Sequence, residues 1–256
     1  MTETDTELAS RIASSAGELL LLIQRSGLFV GKALGSAGDR VANAFIMAAL
    51  REHRPHDSIM SEEEKDDGSR CAASRVWIVD PLDGTREYGE ARSDWAVHIG
   101  LAVDGEAKLG AVALPGLPLT LTSDSTPEGQ PARGKLRMLV SRTRPAAEAV
   151  AVAAALGAEL VPMGSAGAKA MAVVRHEGDI YLHSGGQFEW DSCAPAAIAL
   201  AAGLHVSRID GSPLVYNQAD PYMPDLLICR KQHAEDVLSQ VAAAAAASKT
   251  PQAGVV

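Results

Sequence analysis

The stretch Trp77-Ile78-Val79-Asp80-Pro81-Leu82-Asp83-Gly84-Thr85-Arg86-Glu87-Tyr88 constrains this chain more than any other. The apolar run Val76 to Val79 has the length and composition of a short buried strand. Asp80-Pro81 is expected to end it, since proline has no N–H to give a sheet ladder. Gly84 then allows a sharp turn. Two carboxylates, Asp80 and Asp83, would stand three residues apart at the lip of a strand, with the Leu82 carbonyl between them. Such an oxygen cluster suits a hard cation such as Mg²⁺. The same residues also make an ordinary surface turn, because Asp-Pro and Asp-Gly are common turn pairs. A calcium loop is not expected: the twelfth position counted from Asp80 is Ala91, where that loop requires a bidentate Glu.

Two other stretches bear on the choice. Upstream lies Ser61-Glu62-Glu63-Glu64; downstream lies Trp190-Asp191-Ser192-Cys193-Ala194-Pro195, leading into Ala201-Ala202-Gly203. In that order the three motifs resemble the inositol monophosphatase superfamily, over residues 37 to 230 or so. Arg86-Glu87-Tyr88 after the Gly-Thr is similar to its 3′(2′),5′-bisphosphate nucleotidase branch; inositol monophosphatases proper more often carry Thr-Asn-Phe there. The resemblance implies an α/β fold, a layered αβαβα sandwich, and a metal-dependent phosphatase working with two or three Mg²⁺ ions. It implies Glu62, Asp80, the Leu82 carbonyl, Asp83 and Asp191 as metal ligands, with Asp80 bridging two sites. It makes Asp39, Thr85 and Glu62 the catalytic set, Thr85 being polarised by Asp39 to orient the attacking water. It implies substrate contacts from Gly84, Thr85, Arg86, Ser165, Lys169, His183 and Asp191. Inhibition by Li⁺ and a place in sulfur assimilation go with the same branch, and a homodimer is compatible with it.

Each of these residues also has a plainer reading. Asp39 stands where a second helix, over residues 39–52, would be capped. Asp191 can cap the helix that follows it, and capping and ligation can hold together. The three glutamates can be a solvated loop, with Glu62 the one matching the family ligand. Gly164-Ser165-Ala166-Gly167-Ala168-Lys169 opens a helix after a strand, where backbone N–H groups suit an anion. It lacks the Gly-Lys-Ser/Thr ending of a Walker loop, and alone it is a packing turn. His183 occupies a position where inositol monophosphatases tend to carry Glu and nucleotidases Arg, and the lead from Ser184 to Glu189 is longer and more polar than the family's. His98 reads as structural.

Hydrophobic periodicity supplies the frame. Leu8, Ile12, Leu19, Leu20 and Ile23 predict an amphipathic helix over residues 5–25. Gly27, Gly31, Gly35 and Gly38 predict a loose loop after it. Residues 59–60, 94–103, 107–114 and 119–122 predict strands, so residues 1–134 read as two helices on an antiparallel sheet carrying most of the metal ligands. Residues 123–134 read as a boundary loop. Residues 135–247 alternate strand and helix, which predicts a parallel sheet covered by helices and holding the substrate contacts. Residues 248–256, with the poly-Ala run before them, read as a frayed tail.

Composition narrows the function classes. At 256 residues with 47% hydrophobic side chains the chain can build a sizeable core, and with only 4% aromatics that core must be largely Ala, Leu, Val and Ile. A formal net charge of −9 disfavours a binder of duplex nucleic acid, which needs a basic face. An acidic protein can still take an anionic substrate where bound metal reverses the local sign. Three scattered cysteines, Cys71, Cys193 and Cys229, indicate neither a disulfide framework nor a zinc site. Glu3, Asp5 and Glu7 stand where a signal peptide would carry positive charge, and no segment approaches a membrane span, so a cytoplasmic protein is expected. The expected activity is removal of the 3′-phosphate of adenosine 3′,5′-bisphosphate, leaving AMP, by metal-activated water. Inositol monophosphate or fructose 1,6-bisphosphate is the alternative substrate for the same site. A non-enzymatic scaffold is the competing class, and the intact acids Glu62, Asp80, Asp83 and Asp191 with Thr85 argue against it.

Overall fold

The structure, a computed structural model, describes residues 3–125 and 134–249. Most of the expected boundary loop and residues 250–256 of the expected tail lie outside the described residues. Helix α1, Asp5–Ser26, begins with a capping box between Thr4 and Glu7 and ends at Gly27 in the left-handed conformation. It buries Leu8, Ile12 and Leu20, as its periodicity requires. Helix α2 spans Gly31–His53, so the expected loop over residues 27–38 shrinks to a few residues. Two of the glycines that suggested a loop, Gly35 and Gly38, serve close packing instead. A Cβ on Gly35 would lie 2.7 Å from Thr85 Cγ2, and one on Gly38 would lie 2.8 Å from Tyr88 Cε1. The helix is pressed against the turn after Gly84, and Asp39 stands well inside it. Asp39 therefore is not a helix cap.

The first sheet contains β1 (Ser58–Ser61), β2 (Arg75–Asp83), β3 (Ala96–Val103), β4 (Glu106–Leu114) and β5 (Leu119–Thr122), in sequential order. β1 pairs parallel with β2 and the other pairs are antiparallel, which corrects the wholly antiparallel expectation. Nor does β2 stop at Asp80-Pro81. It runs on to Asp83, with a shift of register against β3 between Asp80 and Asp83. Residues three apart on a regular strand face opposite sides. The bulge cancels that alternation and turns both carboxylates to one side. Pro81, with no N–H to place in the ladder, fits such an irregularity. A short helix, α3 (Thr85–Gly89), follows directly.

The second sheet contains β6 (Arg137–Ser141), β7 (Glu159–Met163), β8 (Ile180–Phe188), β9 (His205–Ser207) and β10 (Tyr222–Cys229), in the order β7-β6-β8-β10-β9. β6 is parallel to β7 and β8, but β10 is antiparallel to β8 and β9. The predicted parallel sheet is thus mixed. β10 also explains the long polar lead before Trp190: it pairs with β8 as far as Phe188, so residues 184–188 extend the strand. The remaining helices are α4 (Ala147–Leu156), α5 (Ala166–Val174), α6 (Glu189–Ala201) and α7 (Lys231–Lys249). The poly-Ala run expected in the tail belongs to α7.

α1 and α2 pack on one face of the first sheet, α5 and α6 lie between the sheets, and α4 and α7 cover the far face of the second. This is the αβαβα sandwich. α6 rests directly on the first sheet: a Cβ on Gly110 would lie 2.2 Å from the Ala194 carbonyl oxygen, and one on Gly100 2.9 Å from the Ala194 nitrogen. That contact brings the start of α6, with Asp191, to the bulged end of β2. Among the described residues no helix is long and apolar enough to cross a membrane.

Candidate active site

Asp80, Asp83 and Asp191 each offer a carboxylate oxygen, and these atoms lie within 4.8 Å of one another. Asp80 and Asp83 come from the bulge of β2, Asp191 from the first turn of α6. Asp80 is buried, and its Oδ1 accepts the Leu82 N–H at 3.0 Å. Asp191 Oδ2 accepts the Phe188 N–H at 2.7 Å, so a helix-start contact and membership of the cluster coexist. Asp83 is the most heavily bonded. Its Oδ1 accepts from the Ala166 N–H at 3.1 Å and its Oδ2 from the Gly167 N–H at 2.6 Å, both at the start of α5.

The charges are arranged unequally. Burial, followed by the charges of Glu62, Asp83 and Asp191, pushes Asp80 well above the usual carboxylate range. Burial and the Asp83 charge push Asp191 up to about 7. Burial alone would raise Asp83 as well, but the His98 ring, the Gly167 N–H and the Lys169 charge outweigh it and hold Asp83 below its ordinary value. Crowded carboxylates repel unless cations stand among them. Here the positive groups act mainly on Asp83, and the His98 charge lowers Asp191 to a lesser extent. The donor set of carboxylate and carbonyl oxygens is that of a hard divalent cation, so the residues present fit the metal that the resemblance implies.

Glu62 follows β1, and its N–H donates to the Val79 carbonyl at 3.2 Å, which sets it beside Asp80. It lies outside the close trio, and the residue as a whole is exposed. Its carboxyl end is nevertheless crowded by protein and by the charges of Asp39, Asp83 and Glu63, which push it up to about 7. Asp39 is buried; burial and the Glu63 charge raise it to about 7. The Thr85 hydroxyl lies 3.1 Å from the Leu82 carbonyl and 3.5 Å from Asp39 Oδ1, so its single proton leans toward Leu82.

Gly84, at φ +90°, passes so close to α5 that a Cβ there would lie 2.9 Å from Ser165 Cβ. Ser165 caps α5, its Oγ accepting the Ala168 N–H at 3.0 Å. Lys169 is buried and its ammonium donates to the carbonyls of Gly164 and Ser165, the second at 2.7 Å. Burial lowers it to about 8. A cavity of about 380 Å³ opens here, lined among others by Arg144, Lys169, Tyr181, His183, Gln187 and Asp191. His183 Nε2 pairs with the Gly185 carbonyl at 2.8 Å, and burial lowers its pKa below the ordinary imidazole value. Arg86 is elsewhere: it lines a second cleft with Lys32, Ser36 and Thr85. The sequence reading missed Arg144, Tyr181 and Gln187. Arg142 and Arg144 directly after a strand were a readable basic pair. Gln187 carries no signal of its own within the long polar lead to Trp190.

These shifts set a pH dependence. Glu62, Asp39 and Asp191 bind protons more tightly folded than unfolded. Their contribution to stability is complete below the unfolded carboxylate range and is lost as pH rises through about 7. The melting temperature of the metal-free protein should therefore fall between about pH 5.5 and about pH 8, and saturating Mg²⁺ should raise it more at the higher pH. Calorimetry at both pH values checks this; equal Mg²⁺ effects would disprove the linkage.

The sequence matches the inositol monophosphatase family over residues 5–159 and again over residues 137–246. It is 49% identical over 255 residues to a 3′-phosphoadenosine 5′-phosphate phosphatase of Mycobacterium leprae (strain TN), covering 93% of each chain. It is 28% identical over 200 residues to the 3′(2′),5′-bisphosphate nucleotidase CysQ of Escherichia coli (strain K12), covering 73% of this chain and 81% of that one. Among solved structures it is similar to CysQ from Bacteroides thetaiotaomicron, with a TM-score of 0.76 and 26% identity over 90% of this chain and 98% of the other.

Proposed function

This chain belongs to the inositol monophosphatase family, and from that premise we propose that it hydrolyses the 3′-phosphate of adenosine 3′,5′-bisphosphate, giving AMP and phosphate. One observation carries the reading. Asp191 belongs both to the acid trio and to the wall of a cavity that also holds Arg144 and Lys169. A substrate with two phosphates needs both: a metal-binding end for the scissile group and protein cations for the other. The name of the Mycobacterium leprae relative, a 3′-phosphoadenosine 5′-phosphate phosphatase, supports the same substrate.

In this reading Asp80, Asp83 and Asp191, with Glu62 and the Leu82 carbonyl beside them, would hold two or three Mg²⁺ ions. Such ions, when bound, neutralise the phosphate, stabilise the leaving oxygen and lower the pKa of water. The rest falls to side chains. Thr85, its proton committed to Leu82 or Asp39, keeps oxygen lone pairs with which to accept from a water and so aim it. Asp39, poised near 7, is the acceptor toward which that proton can shift.

Lys169 has three donors and uses two of them on backbone carbonyls; the third is available to the non-reacting phosphate. Lys169→Met should raise KM for adenosine 3′,5′-bisphosphate by roughly tenfold and change inositol monophosphate hydrolysis far less. Equal losses on both would assign Lys169 to the fold or to the scissile group. The function itself is tested by phosphate release from adenosine 3′,5′-bisphosphate, inositol monophosphate and fructose 1,6-bisphosphate with Mg²⁺. The nucleotide should lead in kcat/KM by roughly tenfold or more; a lead by either sugar phosphate would overturn the assignment.

A further inference from the structure

His98 lies on β3, is fully buried and has no part in the chemistry above. Three segments of the acid site meet at its ring. Nδ1 is 3.1 Å from the carbonyl oxygen of Trp190, the residue before Asp191. A carbonyl can only accept, so Nδ1 donates. Nε2 is 3.1 Å from Asp83 Oδ2, off the line of a straight hydrogen bond and without another partner. The start of α5 closes the third side. A Cβ on Gly167 would lie 2.0 Å from Nε2, and the Gly167 N–H bonds the same Asp83 oxygen. The ring thus touches one carboxylate of the trio directly and holds the backbone next to another.

We propose that His98 is a positioning residue for the metal site: the imidazole sets the spacing between Asp83, at the end of β2, and Asp191, at the start of α6. The inference rests on the reading of the trio as a divalent-cation site. Carboxylates that bind metal are oriented by the groups bonded to them, and loss of such a partner typically weakens metal binding by about 10–100-fold. A buried aliphatic residue could fill the space but could hold neither Asp83 nor the Trp190 carbonyl. Glutamine and asparagine separate the two contacts. The glutamine amide reaches about as far as Nε2, and the asparagine amide about as far as Nδ1.

The test is binding of Mn²⁺ alone, without substrate, to metal-stripped protein, followed by electron paramagnetic resonance of the free ion. His98→Leu should weaken binding by about 10–100-fold, and His98→Gln should recover more of it than His98→Asn. Thermal melting of each metal-free variant is recorded alongside. Wild-type affinity in folded His98→Leu would overturn the inference. So would affinities that follow the melting temperatures across the variants, with no advantage for glutamine, because a purely structural histidine would behave that way. Failure of the wild-type protein to bind Mn²⁺ would instead remove the underlying reading. Should His98→Leu not fold, the contrast between His98→Gln and His98→Asn decides the matter alone.

Discussion

Asp80→Asn should lower turnover of adenosine 3′,5′-bisphosphate by on the order of 10²-fold or more while the protein remains folded. The carboxylate sits in the bulge of β2 among Glu62, Asp83 and Asp191. The neighbouring carboxylates all disfavour its charge and outweigh the Leu82 N–H that favours it, so the metal-free fold does not depend on its ionisation. The hydrogen bond from the Leu82 N–H goes to an oxygen that an asparagine amide can supply. Removing the charge should relieve repulsion, and the metal-free mutant should melt at or above the wild-type temperature. Activity and stability then move in opposite directions, which ordinary structural damage cannot produce. Near-normal turnover, or a mutant that loses activity only because it unfolds, would contradict the assignment.

Thr85→Ala and Asp39→Ala should each reduce kcat by roughly 10²-fold, with the double mutant scarcely worse than either single one, because residues that act as one unit are not additive. The geometry makes this a sharp test. The Thr85 hydroxyl is nearer the Leu82 carbonyl than Asp39, and Asp39 lies inside α2, where helix capping cannot account for its effect. If Asp39 works through Thr85, its loss has little further effect once the hydroxyl is gone. Losses that multiply would mean that the two residues act separately.

Much of this site can be read in the sequence, because its acids lie in short runs whose spacing survives folding. Asp80, Asp83 and Asp191 are brought together, although two of them are over a hundred residues from the third. What could not be read is how. A proline after Asp80 suggests a strand end, yet the strand runs on through a bulge, and only the bulge puts both carboxylates on one side. Glycines 35 and 38 suggest a loop, since local propensity counts glycine against a helix. Contact with Thr85 and Tyr88, distant in sequence, makes small residues necessary there. The polar lead before Trp190 shows no strand pattern until β10 supplies its pairing partner. His98 looks like one more residue on a buried strand; its importance comes from Asp83, Gly167 and Trp190, which no local pattern connects to it. Local signals were legible, and the features set by tertiary contact were not.

The most direct test of the central claim, an acid cluster that works through divalent cations on a bisphosphorylated nucleotide, is the rate of phosphate release from adenosine 3′,5′-bisphosphate as free Mg²⁺ is raised from zero in chelated buffer. No release above background is expected without the ion, followed by a saturable rise as Mg²⁺ fills the sites at Asp80, Asp83 and Asp191. An undiminished rate in excess chelator would contradict it.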